Sequence, residues 1–312
     1  MELRGRGARQ PALGNMLLFG TVLGMLVAAV PVSAAELWDP HLRGIDEGLA
    51  AGAALPPGFY GIWDQWYSPM GIYDSHGHGT GTDLDVLVEA PILFWQSDFT
   101  ILGGAYSAAI AEPFDFTDVH QAVNSAHWGT YNTLLIPGQL AWELPNDFHV
   151  KAGLTVYLND ASSYPGHPDS GAPNGVGSGN GYWTFQPDLG VSWMRNGWDF
   201  SVNFHYAANL ENPATHYQSG DQVAIDYTVM KAIGQWSLGL GGYTENQIMA
   251  DSGAGAAACA SMGGCKAANA GIGPLVQYNF GPVIAMAEYN APIYTQSDVG
   301  GSMLNVRLIV PF

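Results

Sequence analysis

The sequence predicts an all-β fold: a 12-stranded antiparallel transmembrane β-barrel with both termini periplasmic. Three observations predict it. The chain opens with the parts of a secretion signal, its later segments alternate apolar and polar residues, and the connections between those segments alternate short and long.

The signal comes first. Arg4, Arg6 and Arg9 make a basic leader, Leu17 to Val30 is an uncharged run of 14 residues, and Pro31 ends it. Val32-Ser33-Ala34-Ala35 then supplies small residues for cleavage after Ala34 or Ala35. This is the three-part pattern of an export signal. The run is short of the roughly 20 apolar residues that span a bilayer as a helix, so residues 1–35 read as a cleaved signal peptide. No later stretch reaches that length, so helical spans are not expected.

Loss of Glu2, Arg4, Arg6 and Arg9 would leave 26 acidic against 6 basic residues, a net charge of −20. Nucleic-acid binding needs a basic face and is therefore excluded as an expectation. Gly is abundant at 41 residues, and helical periodicity is scarce.

Successive side chains of a strand point to opposite faces. From Ser302 to Phe312, Leu304, Val306, Leu308, Val310 and Phe312 share one face, and Asn305 and Arg307 the other. The same alternation runs through Trp198–Asn209, Phe148–Tyr157, Trp183–Trp193, Asp221–Lys231 and Asp83–Trp95. Weaker versions run over Phe59–Tyr67, Phe99–Ala111, Tyr131–Glu143, Trp236–Glu245, Ala270–Phe280 and Val283–Ile293, giving twelve strands.

Alternation also suits a soluble sandwich or a lipocalin, and the connections decide. Gln96-Ser97-Asp98, Pro145-Asn146-Asp147, Arg195-Asn196-Gly197, Gly234-Gln235 and Gly281-Pro282 are short. Ser68–Gly81, Glu112–Thr130, Leu158–Gly181, Leu210–Gly220, Asn246–Asn269 and Tyr294–Gly301 are long. Short periplasmic turns alternating with long outer loops mark outer-membrane barrels. Trp95, Phe99, Trp142, Phe148, Trp193, Trp198, Trp236, Phe280 and Phe312 flank the short turns. They predict an aromatic girdle at the headgroup level. Residues 58–312 thus form the barrel. Residues 36–57 read as a simple periplasmic lead-in, with a plug folded into the lumen as the alternative.

Twelve strands leave a modest lumen. The polar faces put Glu89, Glu143, Asp188, Asp226 and Glu288 there, with Asp83, Asp85 and Asp199, the bases Lys151 and Arg307, and the imidazoles His149 and His205. Arg307 and Glu288 lie on neighbouring strands and are placed to pair, as charges in a narrow lumen tend to be. No Gly-x-Ser-x-Gly elbow or His-Glu-x-x-His zinc site occurs, so no enzyme activity, metal or cofactor is expected. His76-Gly77-His78 with Asp74 reads as a solvated loop. Cys259 and Cys265, the two cysteines, fall in one long loop. In an exported protein they are most simply a disulfide.

Several stretches carry a resemblance. They are Leu55-Pro56-Pro57-Gly58-Phe59-Tyr60, Asp98 to Gly104, Gly181-Tyr182-Trp183-Thr184-Phe185, and the patterned loop Asn209–Asp221 with Asn212-Pro213-Ala214-Thr215 and Tyr217-Gln218-Ser219-Gly220. Gly273-Pro274 and Pro311-Phe312 complete it. Across nearly the whole region after residue 36 the chain resembles outer-membrane transporters of the meta-pathway of phenol degradation. The terminal Phe312 also resembles the assembly signal of such proteins.

The resemblance implies a bacterial outer-membrane channel, embedded in lipid, for passive uptake of small hydrophobic or aromatic solutes linked to their catabolism. It implies recognition of the last strand by the assembly machinery. The acidic faces support a second reading, a cation-selective porin. The Gly-rich loops support a third, a surface protein that binds partners without transport.

Overall fold

The computed structural model describes residues 36, 38–120, 125–167, 177–257 and 265–312; the predicted signal lies outside them. Among the described residues twelve antiparallel strands form a closed barrel. They are β1 (Gly58–Tyr73), β2 (Gly79–Ile101), β3 (Gly104–Ala111, resuming as Phe114–His120) and β4 (Ser125–Thr130, resuming as Leu134–Leu144). Next come β5 (Phe148–Tyr157), β6 (Thr184–Arg195), β7 (Trp198–Asn209), β8 (Gln222–Ile233) and β9 (Trp236–Gln247). β10 (Ala268–Asn279), β11 (Ile284–Gln296) and β12 (Asp298–Gly301, resuming as Met303–Pro311) complete the wall.

Each strand pairs with its sequence neighbour, and β12 returns to β1. Closure leaves no open edge, as a hydrocarbon environment requires. Pro113 explains the break in β3: it has no N–H to donate to the ladder. The register is unchanged across that break, with Ile92 opposite Ala111 and Glu89 opposite Phe114.

Four expected connections differ. Gln96 and Ser97 are buried inside β2, where both side chains donate to the Tyr106 carbonyl (2.9 and 2.7 Å). They form a bulge, and the chain reverses instead at Leu102 and Gly103, both at positive φ. The expected loop 112–130 is mostly strand, extending a hairpin beyond its neighbours. The expected loops 68–81 and 294–301 are likewise largely strand, with residues 74–78 left as the first of them. The long connections at that rim are 158–183, 210–221 and 248–267. Two of them are stitched by a two-stranded ribbon, Tyr217–Gln218 with Ser252–Gly253. Cys265 is disulfide-bonded and buried; Cys259 lies outside the described residues.

The outer face is apolar. Leu304, Leu308, Val310, Phe200, Phe204, Leu238, Leu240 and Val229 are all exposed. Aromatic rings belt the short-turn rim: Phe59 stacks on Trp95 and Phe312, Trp95 meets Phe99, and Trp236 packs against Tyr278. A second set, Phe116 with Trp128 and Trp183 with Phe185, stands near the other rim. Two girdles bracketing an apolar band suit a bilayer.

Candidate functional site in the barrel lumen

The lumen is occupied by the chain's own N-terminal segment. Glu36 sits among the long loops: its N–H donates to Ser219 (3.1 Å), and its carboxylate accepts from Gly181 N–H (2.9 Å) and Asn212 (2.5 Å). Trp38 donates to the Gly177 carbonyl (2.6 Å). Lower down, Gly48 N–H reaches Thr228 Oγ1 (2.8 Å) and Gly52 N–H reaches Ser192 Oγ (2.8 Å) near the short turns. Segment 38–54 thus runs from one rim to the other.

The wall makes room for this at particular glycines. A Cβ on Gly190 would stand 2.1 Å from the Ala51 carbonyl oxygen, and one on Gly52 would stand 2.2 Å from that of His149. Backbone meets backbone there, and no side chain fits between.

Two charged clusters hold the segment. In the first, Arg307 donates to Asp64 (2.7 Å) and to the carbonyls of Glu47 (2.8 Å) and Ile45. The expected Arg307–Glu288 pair is not the one formed: β12 closes onto β1, and Asp64 faces Arg307 directly across that seam. Glu288 instead accepts from Asn305 (3.4 Å). Glu47, fully buried, accepts from Asn290 (2.9 Å). Near the long-loop rim, Arg43 adds Glu245 (3.2 Å), Asp298 (2.9 Å) and Asp39.

In the second cluster His205 lies between Asp188 (2.5 Å at Nδ1) and Asp46 (3.1 Å at Nε2). Asp188 also accepts from Thr155 (2.8 Å) and Gln186 (3.0 Å). His41 meets Asp226 (3.0 Å) and packs its ring on His205, with centroids 4.0 Å apart. One ligating atom each from His41, Asp46, His205 and Asp226 lies within 4.8 Å of the other three.

Asp188, His205 and Asp226 are thus brought together, and Arg307 and Glu288 belong to the neighbouring cluster. His149 and Lys151 are half-buried on β5, and Glu143 is exposed near the short turn, opposite His149. Glu89 does not face the lumen. It sits opposite Gln65 and accepts from Gln65 (2.5 Å) and Trp63 (2.6 Å) on the outer face. Asp83 and Asp85 share that face, because the apolar face of β2 is the one turned inward.

That reversal has a cause inside the barrel. Leu84, Val86 and Val88 pack with Trp66, Met70, Val119, Val299 and Met303 against Trp38 and Leu42 of the inner segment. Between them lies a recess of about 100 Å³, lined chiefly by Trp38, Leu42, Ile45, Val86, Val88, Ala90 and Tyr131. Like small-molecule sites it is mostly apolar with a few polar groups. Here Arg43, His41 and Asp115 provide the polar fringe. Segment 38–54 thus meets a mainly apolar wall over β1–β4, joined by Val299 and Met303 of β12, and a mainly charged one elsewhere, joined by Asp64 of β1.

Asp39, His41, Arg43, Asp46, Glu47 and Asp64 escaped the strand-based reading. One signal was present: a charge-poor chain concentrates five charged or imidazole residues between Asp39 and Glu47.

Residues 71–308 match the model of the family described as "Putative MetA-pathway of phenol degradation". The chain belongs to this family. An outer membrane channel from Pseudomonas putida F1 shares the fold, with a TM-score of 0.69 at 12% identity, over 84% of this chain and 98% of that one. The translocator domain of the autotransporter NalP from Neisseria meningitidis superposes with a TM-score of 0.45 at 10% identity, over 83% of this chain and 90% of that one. No curated protein sequence matches this family member. The protein has the fold of an outer-membrane channel barrel.

Proposed function

We propose that this barrel admits small apolar, chiefly aromatic, compounds across the outer membrane for their catabolism. The observation that carries the reading is the one-sided lumen. An apolar recess lies between the inner segment and β1–β4, while most lumen carboxylates are engaged with Arg43, Arg307, His41 and His205. Carboxylates so engaged are poorly available as the rings of free acid that select cations. The inner segment is the restriction a solute must pass.

In this reading residues 1–35 are removed on export and the short turns face the periplasm. Phe312 then stands at the periplasmic rim, where assembly factors read the last strand, and Glu36 stands among the outer loops rather than on the periplasmic side.

Liposomes carrying the purified protein should take up phenol-like solutes faster than protein-free ones, and a small sugar no faster. Equal phenol rates with and without protein would sink the proposal. A sugar rate that rose as much as the phenol rate would favour an unselective pore.

A further inference from the structure

The second lumen cluster joins two parts of the chain through four potential metal ligands. His41 and Asp46 come from the inner segment, His205 from β7 and Asp226 from β8, with one donor atom of each inside a common 4.8 Å limit. The closest approaches are 3.0 Å for His41 Nε2 to Asp226 Oδ2 and 3.1 Å for His205 Nε2 to Asp46 Oδ2. Tetrahedral donors at about 2.0–2.2 Å from an ion stand roughly 3.3–3.6 Å from one another. Modest side-chain adjustment therefore closes the set around one ion.

Buried atoms without hydrogen-bond partners point to a ligand. Asp226 is 2% exposed and its Oδ1 accepts from nothing. His41 is 3% exposed, and its Nδ1 likewise makes no hydrogen bond. Buried polar groups normally find partners.

The surroundings of His205 point the same way. Asp188 lies 2.5 Å from Nδ1 and is itself held by Thr155 and Gln186. A carboxylate behind one ring nitrogen keeps the proton there and presents the other nitrogen's lone pair, the outer arrangement usual for metal-bound imidazoles. Asn203 (2.6 Å to Oδ2) likewise fixes Asp46.

Charge completes the argument. Two carboxylates and a dication sum to zero, which suits a buried site. The His41 and His205 rings pack beside it with centroids 4.0 Å apart. Mixed imidazole and carboxylate donors suit zinc, nickel and copper ions more than magnesium or calcium.

We propose that His41, Asp46, His205 and Asp226 bind one divalent transition-metal ion that clasps the inner segment to the barrel wall. The clasp does not depend on which solute crosses.

The test uses the full barrel in detergent, stripped with a chelator and titrated with Zn²⁺, Ni²⁺ and Co²⁺. One ion per barrel should bind, with the visible absorption of four-coordinate Co²⁺. His41→Ala, which alters no strand, should abolish that binding, and Asp226→Asn should weaken it at least tenfold, with far-UV circular dichroism reporting that both barrels fold. Replacing His76 and His78 should leave it unchanged. Metal at about 100 times its Kd should slow amide exchange across 38–53 by roughly a hundredfold, because opening must shed the ion. Absence of stoichiometric binding would overturn the proposal. So would binding that survives His41→Ala, binding lost with His76 and His78, or exchange of 38–53 that ignores the metal.

Discussion

Arg307 Nε lies 2.7 Å from Asp64 Oδ1, across the seam where β12 meets β1. Both side chains are 1% exposed, so the pair has almost no help from water. Removing one member of a buried pair leaves an uncompensated charge, at a cost of roughly 3–5 kcal/mol. Arg307→Ala should lower the urea-unfolding stability of the refolded barrel by about that much. Asp64→Leu combined with Arg307→Met should lose clearly less, and equal losses would show that the ion pair itself is not the source.

Gly190 should act as a spacer for the inner segment. In Gly190→Ala the new Cβ has to displace the Ala51 backbone, since 2.1 Å is far inside contact distance. The strand ladder at Gly190 uses main-chain groups only and should survive. Amides of 38–54 should exchange faster in the variant, solutes should cross faster, and the β-sheet circular dichroism should be unchanged.

The recess should respond to filling. Ala90 is buried on its wall, and Ala90→Trp places an indole where a solute would sit. Uptake of phenol-like solutes should fall several-fold. Overpacking costs typically about 1–3 kcal/mol, so unfolding measurements separate a blocked recess from a damaged barrel.

The wall was largely legible in the sequence because period-two alternation is local. Leu304, Val306, Leu308 and Val310 lie on the outer face as their spacing required, and Asn305 and Arg307 lie inside. Alternation separates two faces but does not say which one turns inward. In β2 the apolar face packs on Trp38 and Leu42, and Glu89 is satisfied outside by Trp63 and Gln65. The turn at Leu102 was hidden because polar Gln96-Ser97-Asp98 carries the ordinary turn composition, whereas Leu102 adopts positive φ without it. The lumen clusters were half-legible: Asp188, His205 and Asp226 sit on regular strands. His41 and Asp46 reach them across some 160 residues or more of chain, as in the 185-residue separation of His41 and Asp226, and no local pattern records such a contact.

The path of segment 38–54 also constrains the order of assembly. A hydrogen-bonded ring shut between β12 and β1 admits nothing sideways, yet it encloses a stretch continuous with β1. If that ring shut while empty, Arg307 would be buried without the carbonyls of Ile45 and Glu47. The β12 side chain of Arg307 therefore registers whether the cage is filled.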